Sequence, residues 1–178
     1  MELMERMVKS EKVYRGRIVD IRMDDVTVPD GNTVKREVVE HPGGVVILAL
    51  DKNDNVLMVR QYRYAVQREL SELPAGKLEP GEDPRQAALR ELNEEVGATP
   101  DEFKSLGTFF SSPGIFTETI HAFLARGLSF GETHPDDDEF LVIERVPFDK
   151  MCERIKLGEI QDMKTVAVFL KAKALLGK

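Results

Sequence analysis

The sequence predicts a mixed α/β fold, a mixed sheet with helices on both faces and an antiparallel β-hairpin ahead of it. Three observations carry that expectation. Strand-like and helix-like segments are interspersed without a strict βαβ rhythm. The run Val45-Val46-Ile47-Leu48-Ala49-Leu50 is apolar at every position, as a strand covered on both faces must be. The chain has 178 residues, 42% of them hydrophobic, which suits one domain with a real core.

In chain order, residues 13–28 and 33–41 are rich in Val, Ile and Thr, and Pro29-Asp30-Gly31-Asn32 between them is a turn signature. They form the expected hairpin, an extension over 1–41 ahead of a main domain over 42–178. Val45 to Leu50 and Val56-Leu57-Met58-Val59 flank the polar turn from Asp51 to Asn55, which predicts a second hairpin with a central first strand. Asp83 can cap a helix, Pro84 fits its first position, Gln86 completes a capping box and Gly97 supplies the stop, so a helix over 84–96 follows. Strands recur near 104–110, 119–125 and 140–146. Two helices close the chain, one capped by Asp149 and stopped by Gly158, the other over 162–176 with Val166, Phe169 and Leu170 inward.

Composition excludes several classes of function. Thirty-two acidic against 25 basic side chains give a net charge of −7, which argues against nucleic acid as a partner, since such binding rests on neutralising phosphates. No uncharged run approaches the roughly 18 residues of a membrane span. The N-terminal residues lack the apolar core of a secretory signal, and the lone Cys152 cannot form an internal disulfide, so a cytoplasmic protein is expected. Cys152 falls in an apolar helical stripe and reads as core; His41, His121 and His134 show no metal-ligand spacing.

The helix over 84–96 is too acidic for ordinary use. Glu91, Glu94 and Glu95 fall within roughly 100° of one another on one face, with Leu89, Leu92 and Val96 on another. Like charges at these spacings destabilise a helix, and in isolation they would read as a solvated face with Arg90 relieving Glu94. The wider spacing overturns that reading. Gly76, five residues, Glu82, seven residues, then Arg90-Glu91-Leu92-Asn93-Glu94-Glu95-Val96-Gly97-Ala98 resembles the Nudix box, with every fixed residue type at its offset. At frequencies of roughly 7% each, a chance match at a given start is on the order of one in 10⁸.

The resemblance implies the Nudix fold, an α/β/α sandwich with a mixed sheet, and hydrolysis of a pyrophosphate linkage. Such a linkage is anionic and repels an attacking hydroxide unless divalent cations neutralise its oxygens and acidify the water. Carboxylates are the hard ligands Mg²⁺ prefers. By resemblance Glu91 and Glu95 are the main ligands of Mg²⁺, for which Mn²⁺ can substitute, with Glu94 in support and the carbonyl of Ala75 contributing. Glu82 and Arg90 are expected to pair and lock the loop onto the helix. With the helix carboxylates engaged by metal, the group that handles the attacking water is expected elsewhere. The acidic run Asp136-Asp137-Asp138-Glu139 offers Glu139, which directly precedes Phe140 as the catalytic Glu does in the resembling loop; Asp138 is the alternative, and a solvated charged loop the bland one.

Features outside the box resemble the ADP-ribose pyrophosphatase branch of that family. Pro113, in Ser111-Ser112-Pro113-Gly114-Ile115-Phe116-Thr117-Glu118, lies fifteen positions after Ala98, where the branch carries a proline. Arg36-Glu37-Val38-Val39-Glu40-His41, Gln61-Tyr62-Arg63 and Glu72-Leu73-Pro74-Ala75-Gly76 extend the likeness. It implies a nucleoside diphosphate sugar as substrate, with Pro113, Gly114 and Glu118 around it. Arg36 and Arg63 resemble arginines that reach the diphosphate or the base; the plain alternative for each is a surface salt bridge. The branch often stacks adenine on Trp, and this chain has none, which leaves Tyr14 or a Phe for that task and keeps GDP-sugars open beside ADP-ribose. The N-terminal extension reads either as an extra sheet layer or, by resemblance, as the element that builds a homodimer. The rival to an enzyme is a Nudix-fold sensor of nucleotide sugars, which would typically lack the box carboxylates.

Overall fold

The computed structural model describes residues 3–136 and 139–178, so Asp137 and Asp138 of the acidic run lie outside the described residues. It divides into two units, residues 1–43 with 110–119 and residues 44–109 with 120–178.

The second unit is organised by strand β4 (Gly44–Ala49), whose residues are all buried. It lies between β7 (Ala75–Lys77), antiparallel to it, and β9 (Thr119–Phe130), parallel to it, with β8 (Ala98–Phe110) outermost. The sheet is therefore mixed. Alternation along β4 splits the core in two: Val46 and Leu48 join a cluster containing Phe148, Met151, Val168 and Phe169, whereas Val45, Ile47 and Ala49 join one containing Ala87, Ala88, Leu92 and Val96. Helix α1 (Pro84–Val96) thus covers one face, and α2 (Phe148–Lys156) with α3 (Met163–Leu176) covers the other, which is the α/β/α layering expected.

A second sheet is antiparallel throughout, in the order β10 (Val142–Pro147), β5 (Asn55–Arg63), β6 (Arg68–Glu72). The hairpin predicted between β4 and β5 is not formed. Asp51 caps the turn through the N–H groups of Asn53 and Asn55 and donates its own N–H to the Asn55 carbonyl, but beyond the Leu50–Val56 bridge the strands diverge into different sheets. Both strands are apolar on both faces, so periodicity cannot say which neighbour each one takes. Strands β6 and β7 were not anticipated either, being short and interrupted by charge.

The α1 boundaries fall where capping chemistry put them. The Asp83 carboxylate accepts from the N–H groups of Arg85 and Gln86, Pro84 opens the helix, and Gly97 closes it at φ 64. For α2 the expectation fails: Pro147 stands at the cap and Asp149 lies inside the first turn, where its charge complements the helix dipole instead. In α3 the buried stripe is Thr165, Val168, Phe169 and Ala172, so Leu170 is exposed rather than inward.

The first unit holds a three-stranded antiparallel meander, β1 (Arg6–Arg15), β2 (Asp20–Thr27) and β3 (Thr33–Glu40). The predicted hairpin is its β2–β3 half. What read as one strand from residue 13 is broken at Gly16, whose N–H bonds the Val19 carbonyl, and β1 reaches back to Arg6 because Met7 and Val8 continue the extended pattern. Segment 110–119 joins the meander through Val39, which donates to the Ile115 carbonyl and accepts from the Thr117 N–H.

Candidate active site

Helix α1 buries Glu91 and Glu95 along with its apolar residues. The two carboxylates are 8% and 2% exposed, so they do not form the separate polar face that spacing alone implied. Gly76 explains how Glu91 is accommodated: a Cβ there would stand 1.9 Å from both Cδ and Oε1 of Glu91. Only glycine leaves room for that carboxylate against the backbone of β7. Glu95 accepts a hydrogen bond of 3.1 Å from the Ala75 N–H.

Burial drives the electrostatics. Desolvation raises the pKa of Glu91 to about 7, against the opposing effect of Arg90, and the charges of Glu94 and Glu139 add to it. For Glu95 desolvation and the neighbouring Glu91 charge raise it to about 8, with the Ala75 N–H opposing and Glu139 adding further. Glu139 therefore lies within electrostatic reach of both carboxylates. Its N–H bonds the Asp136 carbonyl, and with Arg60, Tyr62, Phe140 and Val142 it lines a hollow of ≈ 470 Å³.

Arg90 organises the opposite edge. It forks onto Glu82 at 3.0 and 3.1 Å and bonds Glu91 and Glu94 at 2.9 Å each, so Glu82 is tied to the helix and Glu94 is turned to a cation. Among the described residues no three His, Cys, Asp or Glu side chains converge as a ligating cluster, since Glu94 faces Arg90. The donor set of Glu91, Glu95 and the Ala75 carbonyl is nonetheless all oxygen, with both carboxylates buried, which fits a hard divalent cation.

Arg63 bonds Glu72 through Nε at 2.7 Å and Nη2 at 2.8 Å, and its charge also acts on Glu95. In the first unit Arg36 pairs with Glu5 at 3.0 and 2.7 Å, and with Met23, Lys35, Gly114 and Ile115 it lines a hollow of ≈ 380 Å³. Pro113 sits in the turn before Gly114, where the Ser112 carbonyl accepts from Ile115 and Phe116, and Glu118 faces His41 at 3.5 Å. Sequence reading did not single out Glu72 and Lys164, which the structure gathers with Arg63. The available signal was a charge two residues from Leu70, on the same strand face, and directly before Leu73, which is unusual unless the charge is paired.

A family model described as NUDIX domain matches residues 40–168, which takes in α1, its flanking glycines and Glu139. The chain belongs to the Nudix family. A second model, described as nucleoside diphosphate sugar hydrolase N-terminal domain, matches residues 5–45. The Nudix chain is 43% identical over 164 residues to the methanol dehydrogenase activator of Bacillus methanolicus, covering 91% of this chain and 89% of that protein. It is 39% identical over 165 residues to the ADP-ribose pyrophosphatase of Bacillus subtilis, covering 92% and 89%. A crystal structure described as an ADP compounds hydrolase superposes with a TM-score of 0.87 at 21% identity, over 99% of this chain and 97% of that one, and bears on the Nudix fold alone.

Proposed function

We propose that this Nudix hydrolase cleaves ADP-ribose, or a close nucleoside diphosphate sugar, into a nucleoside monophosphate and a sugar phosphate, and that it works as a homodimer. The observation that carries the reading is the pair of buried carboxylates, Glu91 and Glu95, on a box whose acidic residues are all present. A sensor of this fold would typically lack the box carboxylates. Relatives named for ADP-ribose support the substrate class.

Nudix hydrolases as a family depend on divalent metal, and here Glu91, Glu95 and the Ala75 carbonyl are the groups that would hold Mg²⁺ or Mn²⁺. The cation would neutralise diphosphate oxygens and acidify water. In the reaction, water adds to one phosphorus, the bond from that phosphorus to the bridging oxygen breaks, and the other phosphate leaves with that oxygen. Glu139 takes the proton from the attacking water, and Arg63 binds the anionic substrate. Arg90 holds Glu82 and keeps the loop seated on α1.

A panel of nucleotide sugars, assayed for released phosphomonoester with a coupled phosphatase with and without Mg²⁺, tests this. Metal-dependent release from ADP-ribose is expected; binding without release from any member would favour the sensor. A second reading is favoured by the 43% identity to a protein named as a dehydrogenase activator, namely that the chain acts beside such an enzyme. Assaying a purified alcohol dehydrogenase with and without the chain tests it.

A further inference from the structure

The segment joining β6 to β7 is fixed at every residue. Glu72 holds Arg63, the Leu73 N–H donates to Thr165 Oγ1 at 2.8 Å, the Pro74 carbonyl accepts from Ile47 at 2.9 Å, and the Ala75 N–H donates to Glu95. One end of four residues therefore carries an arginine and the other a proposed metal ligand.

Glu72 is 1% exposed, and a carboxylate so buried is costly unless paired. It is paired twice, by the fork of Arg63 and by Lys164, which also bonds Asp162 at 3.0 Å, the residue that caps α3. A purely structural buried pair gains little over apolar residues of the same size. The asymmetry of this one points elsewhere. The Arg63 side chain is 41% exposed although its partner is sealed, and its Nη1 makes no hydrogen bond among the described residues. Both Nε and Nη2 are spent on orientation, and one donor edge is left to solvent.

We propose that Glu72 is a positioning residue which, with Lys164 as counter-charge, locks Arg63 so that its Nη1 edge binds a phosphate oxygen of the substrate beside Glu95. This rests on the hydrolysis proposed above and assigns roles to two residues outside the box. A guanidinium held by one edge loses little rotamer freedom on binding, so its bond counts nearly in full. Binding of this kind is the same before and in the transition state, so its loss raises KM and leaves kcat.

The test is a kinetic double-mutant cycle on the whole protein with Mg²⁺ and the best nucleotide sugar. Glu72→Gln, which cannot accept both Arg63 donors, should raise KM roughly 10- to 100-fold, the worth of one charge-assisted bond, with kcat within about threefold. Arg63→Ala should do the same, Arg63→Lys should not restore KM, and Glu72→Gln added to Arg63→Ala should raise KM no further. Should Glu72→Gln fail to fold, Glu72→Asp keeps the charge while withdrawing it by one methylene, and should still raise KM. An unchanged KM in the folded variant, or an equal rise with and without Arg63, overturns the inference alone. Absence of turnover in the wild type overturns it together with the function on which it rests.

Discussion

Glu95 shows how far a single residue departs from ordinary protein economy. It is nearly sealed, bonded to one backbone N–H, and set beside a second buried carboxylate, an arrangement that lowers stability unless a cation arrives. Glu95→Gln removes the repelling charge and keeps the shape, so the metal-free variant at pH 8 should be more stable than the wild type by about 1 to 3 kcal/mol. Its turnover with Mg²⁺ should fall by roughly 10² or more, as a lost ligand would cause. Thermal melts in chelator and steady-state rates read the two halves, and near-normal turnover would remove Glu95 from the metal site. Glu139 separates chemistry from binding. Glu139→Gln should lower kcat by roughly 10² to 10⁴ with little change in KM, since a base acts only in the transition state. A loss below about tenfold would move the role to Asp138, Asp136 or a metal-bound hydroxide that needs no protein base.

At the scale of the element, α1 is a helix whose stability runs against pH. The folded pKa values of Glu91 and Glu95, about 7 and about 8, lie above their ordinary 4.5. Between pH 4.5 and 8 the unfolded chain has therefore released protons that the folded one retains, and stability falls as pH rises. Glu72 runs the other way: despite burial, Arg63 and Lys164 hold it below its ordinary value, so its contribution is lost only as pH falls through the acid range. In chelator, Tm should decline from about pH 5.5 to pH 8, and Mg²⁺ should flatten the slope; a chelated protein whose Tm rises across that window would refute the assignment. Why α1 was legible in the sequence is plain from the same residues. Its caps, Asp83 and Gly97, act locally, and the box is a fixed string of residues, so both survive without knowledge of the tertiary structure. The partner of β5 was not legible, because a doubly apolar strand says only that it is covered. Nor was the burial of Glu91 and Glu95, since helical spacing groups them with Glu94 and pairs Glu94 with Arg90, but does not say which of the three the sheet covers. Leu170 failed for a related reason, since rotation of a helix is set by what packs on it, here Phe169 against Phe148; Asp149 failed because α2 already begins at Phe148, ahead of it.

For the whole molecule, the open question is what meets β1. It is an edge of the N-terminal sheet, every one of its residues is exposed, and Met7, Val8, Val13 and Tyr14 are among the protein's exposed large apolar side chains. A free apolar edge invites pairing with another chain. Charged residues interleave with these, Arg6, Lys9, Glu11, Lys12 and Arg15, which opposes indiscriminate stacking and favours one closed arrangement. A two-fold pair satisfies this, since the same strand is then covered in both copies and no further edge is created. The protein should therefore sediment as a dimer at micromolar concentration, and Val8→Glu with Val13→Glu should shift it toward monomer while leaving the melting of the second unit, which contains neither residue, in place. If the N-terminal sheet also completes the partner's substrate site, the same double variant should lose affinity for nucleotide sugar in step with dissociation, so that KM falls again as protein concentration is raised. Light scattering alongside initial rates across a concentration series measures both, and a wild-type protein that is monomeric at micromolar concentration refutes the dimer outright.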